Sequence, residues 1–163
     1  MRLKSGRAVL KRGRRVRLRS GFSMLEMLIV MIIMGILVNI AVSRMATVIR
    51  HERVNRAAQV LVQDLQNGFA MAGRQRAPVR LTFTPSTKTY VFKDRASSTV
   101  LQTRVMSEGA DYSLTSMSST ASVVDILPNG IGSTAFTVTL ANGDYSRQIF
   151  ASTAGFIRIT PTQ

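Results

Sequence analysis

The chain has 163 residues, a formal net charge of +14 and no cysteine. That length allows one domain plus a membrane segment, and the missing thiols exclude disulfides, thiolate catalysis and cysteine metal clusters. The charge resembles that of a nucleic-acid binder until it is mapped: residues 1–21 hold nine basic side chains, Arg2 to Arg19, and no acid, while the remainder holds thirteen basic and eight acidic side chains for a net of +5.

The first element after this basic leader is an apolar run from Phe22 to Val42. Its 21 residues would span roughly 31 Å as a helix, about one hydrocarbon core. The basic leader on its amino-terminal side places that end in the cytoplasm and the rest of the chain outside it. One residue breaks the run, Glu26. A carboxylate at the centre of a span costs about 2.5–3.5 kcal/mol, so it needs a positive partner at similar depth. Cleavage between Gly21 and Phe22 would supply one, the new α-amine of Phe22. Two other readings compete. A secretory signal peptide cut at Ala41-Val42-Ser43 suits the basic leader, but the run exceeds the about 7–15 apolar residues of such signals and contains Glu26. A plain single-pass anchor explains the length but not Gly21-Phe22 combined with Glu26.

Gly21-Phe22-Ser23-Met24-Leu25-Glu26, followed by an apolar helix, resembles the class III signal of type IV pilins and of the pseudopilins of type II secretion. The resemblance implies cleavage after Gly21 by a prepilin peptidase, N-methylation of Phe22 by the same peptidase/methyltransferase, storage in the bacterial inner membrane, and assembly with other (pseudo)pilins. It also implies that Glu26 meets the terminal amine of a neighbouring subunit. Many pilins carry a kinking proline where this chain has Ser43.

Past Val42 neither Gly nor Pro occurs before Gly68. Apolar residues recur at Met45, Ile49, Val54, Ala57, Ala58, Leu61, Leu65, Phe69 and Ala72, mostly three or four apart, with Arg50, Arg53, Arg56, Gln59, Gln63, Asp64 and Gln66 between them. This period predicts one helix over Phe22–Ala72, ended by Gly73 and Pro78. Its first half needs lipid or other helices, and its second half packs one stripe on a head.

Beyond Gly73 the pattern predicts strands at Val79–Thr84, Thr89–Lys93, Val100–Met106, Tyr112–Met117, Ser122–Leu127, Phe136–Leu140, Arg147–Ser152 and Phe156–Thr160. Asn142-Gly143 between two apolar runs predicts a hairpin. The fold class is α+β, a long helix on a C-terminal antiparallel β-domain. The parts are a leader over 1–21, a membrane helix over 22–42, its amphipathic continuation over 43–73 and a β-rich head over 74–163. Leu127-Pro-Asn-Gly130, Phe136-Thr-Val-Thr-Leu140, Arg147-Gln-Ile-Phe-Ala-Ser152 and Gly155-Phe-Ile-Arg-Ile159 together resemble the end of the GspH/FimT family of minor pseudopilins and minor pilins.

Catalytic chemistry is not expected. The lone His51, between Arg50 and Glu52, reads as a helical surface residue, the acids are scattered, and no metal or cofactor is implied. The family resemblance implies a structural subunit of a type II secretion pseudopilus or a type IV pilus, near the tip or in the initiating complex. The alternative is a minor pilin that binds DNA in an uptake pilus. Its candidate phosphate contacts are Arg74, Arg76 and Arg80 around the helix end, with Arg147 and Arg158 on the last strands.

Overall fold

The computed structural model describes residues 21–161 apart from 108 and 110. Apart from Gly21, the basic leader lies outside the described residues. Helix α1 spans Met24–Gln75. Its start is set by Ser23, whose hydroxyl oxygen accepts the Glu26 N–H at 3.1 Å and whose carbonyl accepts the Met27 N–H at 3.2 Å. Ser23 and Glu26 have the spacing of a capping box, and the Glu26 carboxylate falls in the first turn, where the helix dipole favours negative charge. The other end differs from the expectation. The helix passes through Gly73, and Arg76 adopts the left-handed conformation with φ 53°. Such a residue just beyond a helix is usually glycine.

Residue contacts divide the chain into Met1–Ile40 and Ala41–Gln163. In the first unit every apolar side chain of the helix is exposed, from 48% at Ile29 to 93% at Met24. Within this unit no described residue covers this surface, and the helix is long and apolar enough to cross a membrane.

In the second unit α1 buries Val54, Ala57, Ala58, Leu61, Leu65 and Ala72. The predicted stripe began earlier, at Met45 and Ile49, but both are exposed, so burial of the apolar stripe starts at Val54. Against this stripe lie two four-stranded antiparallel sheets. The first has the order β3-β2-β1-β5, with β1 Val79–Thr84, β2 Thr89–Asp94, β3 Val100–Val105 and β5 Val123–Ile126. The second has the order β4-β6-β7-β8, with β4 Ser116–Ser119, β6 Phe136–Asn142, β7 Tyr145–Ala151 and β8 Ile157–Pro161. Alternate residues enter the core, for example Val79, Leu81 and Phe83 on β1 and Phe136, Val138 and Leu140 on β6. Both sheets and the helix share one hydrophobic cluster.

Two local expectations shift. The strand predicted at Tyr112–Met117 forms at Ser116–Ser119, because Ser113 takes φ 45° and Leu114 turns into the core. The hairpin at Asn142-Gly143 forms one residue later. Asn142 pairs with Tyr145, and the two loop residues are Gly143, at φ 61°, and Asp144. Positive φ at the first loop position is the II′ arrangement, which glycine favours. Asn142 is buried instead, its amide donating to the Ser113 carbonyl at 2.9 Å.

Candidate functional site

Gly21 and Phe22 precede the first helical turn. A β-carbon on Gly21 would meet nothing within 4 Å, and Phe22 is 73% exposed. Among the described residues, nothing outside its chain neighbours crowds this junction on the Gly21 side. Four residues on, Glu26 is exposed beside the cap. Among the described residues no group of acids and histidines has the arrangement of a metal site.

The five candidate arginines do not act as one patch. Arg80 on β1 is bidentate with Asp125 on β5, Nε to Oδ1 at 2.7 Å and the second nitrogen to Oδ2 at 3.1 Å. Arg95 reaches the same carboxylate at 3.4 Å. The hydrogen bonds from Arg80 hold the Asp125 carboxyl below its ordinary range. Arg147 shares its side of β7 with buried Ile149 and Ala151. It donates to the Asn55 side-chain oxygen at 2.9 Å and lies 5.5 Å from the Tyr145 ring centre. Two of the five are thus engaged inside the head. Arg74, Arg76 and Arg158 are exposed. Arg158 pairs with Phe150, on the opposite side of the sheet from Arg147.

Two side-chain clusters escaped the sequence reading. Asp64 is only 4% exposed. Tyr90 donates to it at 2.7 Å, and Arg104 grips both oxygens at 2.9 and 3.1 Å. Burial pushes the Asp64 carboxyl up, but the hydrogen bonds from Arg104, Tyr90 and Gln102 outweigh it and hold the group below its usual range. Burial, and then the bond to Asp64, push the Tyr90 hydroxyl well up. The group is therefore a carboxylate, a neutral phenol and a guanidinium, fixed and fully satisfied. Its signal was positional: Asp64 lies three residues after Leu61 and four before Gly68, on the buried stripe. At the other end of the head, His51 stacks on Tyr145 with ring centres 4.0 Å apart. Tyr145 also donates its hydroxyl to Asn55 at 3.1 Å. His51 is therefore half-buried against the β6–β7 hairpin and clamps it to the helix, a pairing that no local pattern announces.

Known proteins resemble this arrangement in both parts. The sequence model described as type II transport protein GspH matches residues 57–155, and the prokaryotic N-terminal methylation motif matches residues 16–41. No curated protein matches the chain at a significant level. Among solved structures, the minor pseudopilin EpsH from the type 2 secretion system of Vibrio cholerae is similar with a TM-score of 0.54 and 17% identity, over 67% of this chain and 97% of that one. The type IV minor pilin FimU of Pseudomonas aeruginosa is similar with a TM-score of 0.55 and 20% identity, over 68% of this chain and 90% of that one. At these identities the likeness is one of fold.

Proposed function

The chain belongs to the GspH family of type II transport proteins, and we propose that it is a minor pseudopilin or minor pilin, inserted through its apolar half-helix into a type II secretion pseudopilus or a type IV pilus. The family consists of structural subunits rather than enzymes. One observation supports the filament role above the others. An apolar helix whose side chains are exposed all round among the described residues, beginning at a methylation motif, precedes a head with one shared hydrophobic core. In lipid the apolar surface is satisfied and the subunit waits. In a filament the same surface is buried among other subunits' helices.

In this reading prepilin peptidase cuts between Gly21 and Phe22 and the enzyme methylates the Phe22 amine. The head lies on the extracytoplasmic face of the inner membrane. Glu26 then pairs with the terminal amine of a neighbour during assembly. Two desolvated charges attract strongly at low dielectric, although desolvation offsets much of that gain. The subunit's place is the tip or the initiating complex. Intact mass and N-terminal sequencing of the protein from its native membrane test the processing. The expected chain begins with methylated Phe22. A chain beginning near Arg44, or an uncut one, would overturn the reading.

A second reading, a head that contacts DNA, draws on exposed Arg74, Arg76 and Arg158. Arg80 and Arg147 serve it less well, since each is already engaged within the head. Duplex DNA binding by the full chain should then weaken steeply with salt and fall on replacing Arg74 and Arg76 with alanine. Undetectable or salt-insensitive binding removes it.

A further inference from the structure

Four strands end the two sheets, and their edges are not equivalent. β4 and β5 are four residues each, too short to offer much, and β3 meets β2 across a register shift at Phe92/Lys93. Short strands and irregular pairing both discourage edge docking. β8 pairs with β7 without a shift over its five residues.

The orientation of its backbone follows from one bond. Ser152 N–H donates to the Phe156 carbonyl at 2.9 Å, in register with the pairs Phe150↔Arg158 and Gln148↔Thr160. Groups alternate along an antiparallel ladder, so Ile157 and Ile159 turn their own N–H and C=O away from β7, outward. Pro161, which has no N–H, ends this row.

Beside the same edge lies a cavity of about 420 Å³, bounded by Glu52, Asn55 and Gln59 of α1, by Arg147 and by Ile159. Within it the Arg147 guanidinium is held by Asn55. Glu52 is exposed and forms no ion pair among the described residues. A strand added to β8 would place the residue opposite Ile159 on the cavity side of the sheet, because paired residues share a face.

We propose that the free edge of β8 and this groove receive an extended segment of a partner protein that carries a lysine or arginine opposite Ile159. Main-chain bonds to Ile157 and Ile159 hold the segment, and Glu52, flanked by the amides of Asn55 and Gln59, selects the basic side chain. This is strand addition with one specificity pocket. It goes beyond filament assembly, since it holds whether or not the chain polymerises.

The test uses the full chain in detergent micelles and two short capped peptides of alternating valine and threonine, one with a central lysine and one with a central glutamate. Residue-resolved amide exchange is followed by NMR. The lysine peptide is expected to slow exchange at Ile157 and Ile159 and to bind about fivefold more tightly than its glutamate counterpart, the upper range for one exposed ion pair. Glu52→Lys, on an exposed helical site, should reverse that preference while leaving core amide protection as in the parent. Unchanged exchange at both isoleucines, slowing at β3 instead, or a peptide preference indifferent to Glu52→Lys would overturn the proposal.

Discussion

Arg104 and Asp64 stand 40 residues apart and meet in a two-pronged ion pair, with the carboxylate buried and the guanidinium side chain 34% exposed. The pair joins α1 to the outer strand of the first sheet, and Tyr90 closes it from β2. Breaking such a pair costs more than forming it returns, because the surviving charge stays buried. Arg104→Met should therefore destabilise the head by about 2–3 kcal/mol, the loss of hydrogen bonds to a charged group. Asp64→Leu combined with Arg104→Met should cost less than the sum of the single changes. Urea unfolding of the four proteins of this cycle reads the coupling directly, and strictly additive losses would mean the pair is idle.

The same carboxylate sets a pH dependence. Asp64 is depressed despite its burial, Asp125 is depressed chiefly by Arg80, and Asp94 is depressed by the backbone N–H groups of Ser97 and Ala96. A group whose folded pKa lies below its unfolded value adds stability above the unfolded value. That stability is lost as pH falls through the folded one. Unfolding midpoints should thus be level at neutral pH and decline below about pH 4. Asp64→Asn, less stable at pH 7, should show a shallower decline. Parallel acid profiles for the parent and the variant would contradict the assignment.

Much of the architecture was legible because it rests on period. The helix, its apolar half and most strands follow from spacings of three to four and of two. What failed was decided by contacts distant in sequence. Asp64 stands among the polar residues between the apolar positions of the helix, and its partners Tyr90 and Arg104 lie on other elements. Met45 and Ile49 fit the stripe, yet it is buried only from Val54 onward. Gly73 resembles a stop signal, but the helix runs three residues past Ala72 to Gln75, most of another turn. Of the five arginines, sequence alone could not tell that Arg80 has Asp125 and Arg147 has Asn55.

Gly68 and Gly73 make opposite predictions from similar surroundings in sequence. A β-carbon at Gly68 would stand 2.5 Å from Cε1 of Phe92, a ring with no exposed surface. Alanine there gains about 1 kcal/mol of helix propensity but forces overpacking that costs about 1–3 kcal/mol. At Gly73 the nearest atom would be the Pro128 carbonyl oxygen at 3.8 Å, and the site is exposed and helical. Gly68→Ala should lower stability by about 1 kcal/mol, whereas Gly73→Ala should raise it by about 0.5–1 kcal/mol. Thermal unfolding of the two variants decides the matter, and a shift in the same direction for both would show that Phe92 yields.

Glu26 has two roles to separate. It occupies the capping-box position opposite Ser23, with its N–H already bonded to the Ser23 oxygen, and in the filament reading its charge meets a neighbour's amine. Ser23→Ala removes the cap, at about 1 kcal/mol, and leaves the charge. Glu26→Gln removes the charge and keeps a side chain that suits a capping box. If the charge guides assembly, Glu26→Gln should lower incorporation into filaments by on the order of tenfold, the ratio set by 1.4 kcal/mol, while Ser23→Ala changes it little. Quantifying each variant in sheared filaments against the membrane pool, after confirming that both are cut after Gly21, gives the comparison. Equal incorporation of Glu26→Gln and the parent would leave Glu26 a capping residue alone, and a matching loss for Ser23→Ala would assign the effect to the helix start.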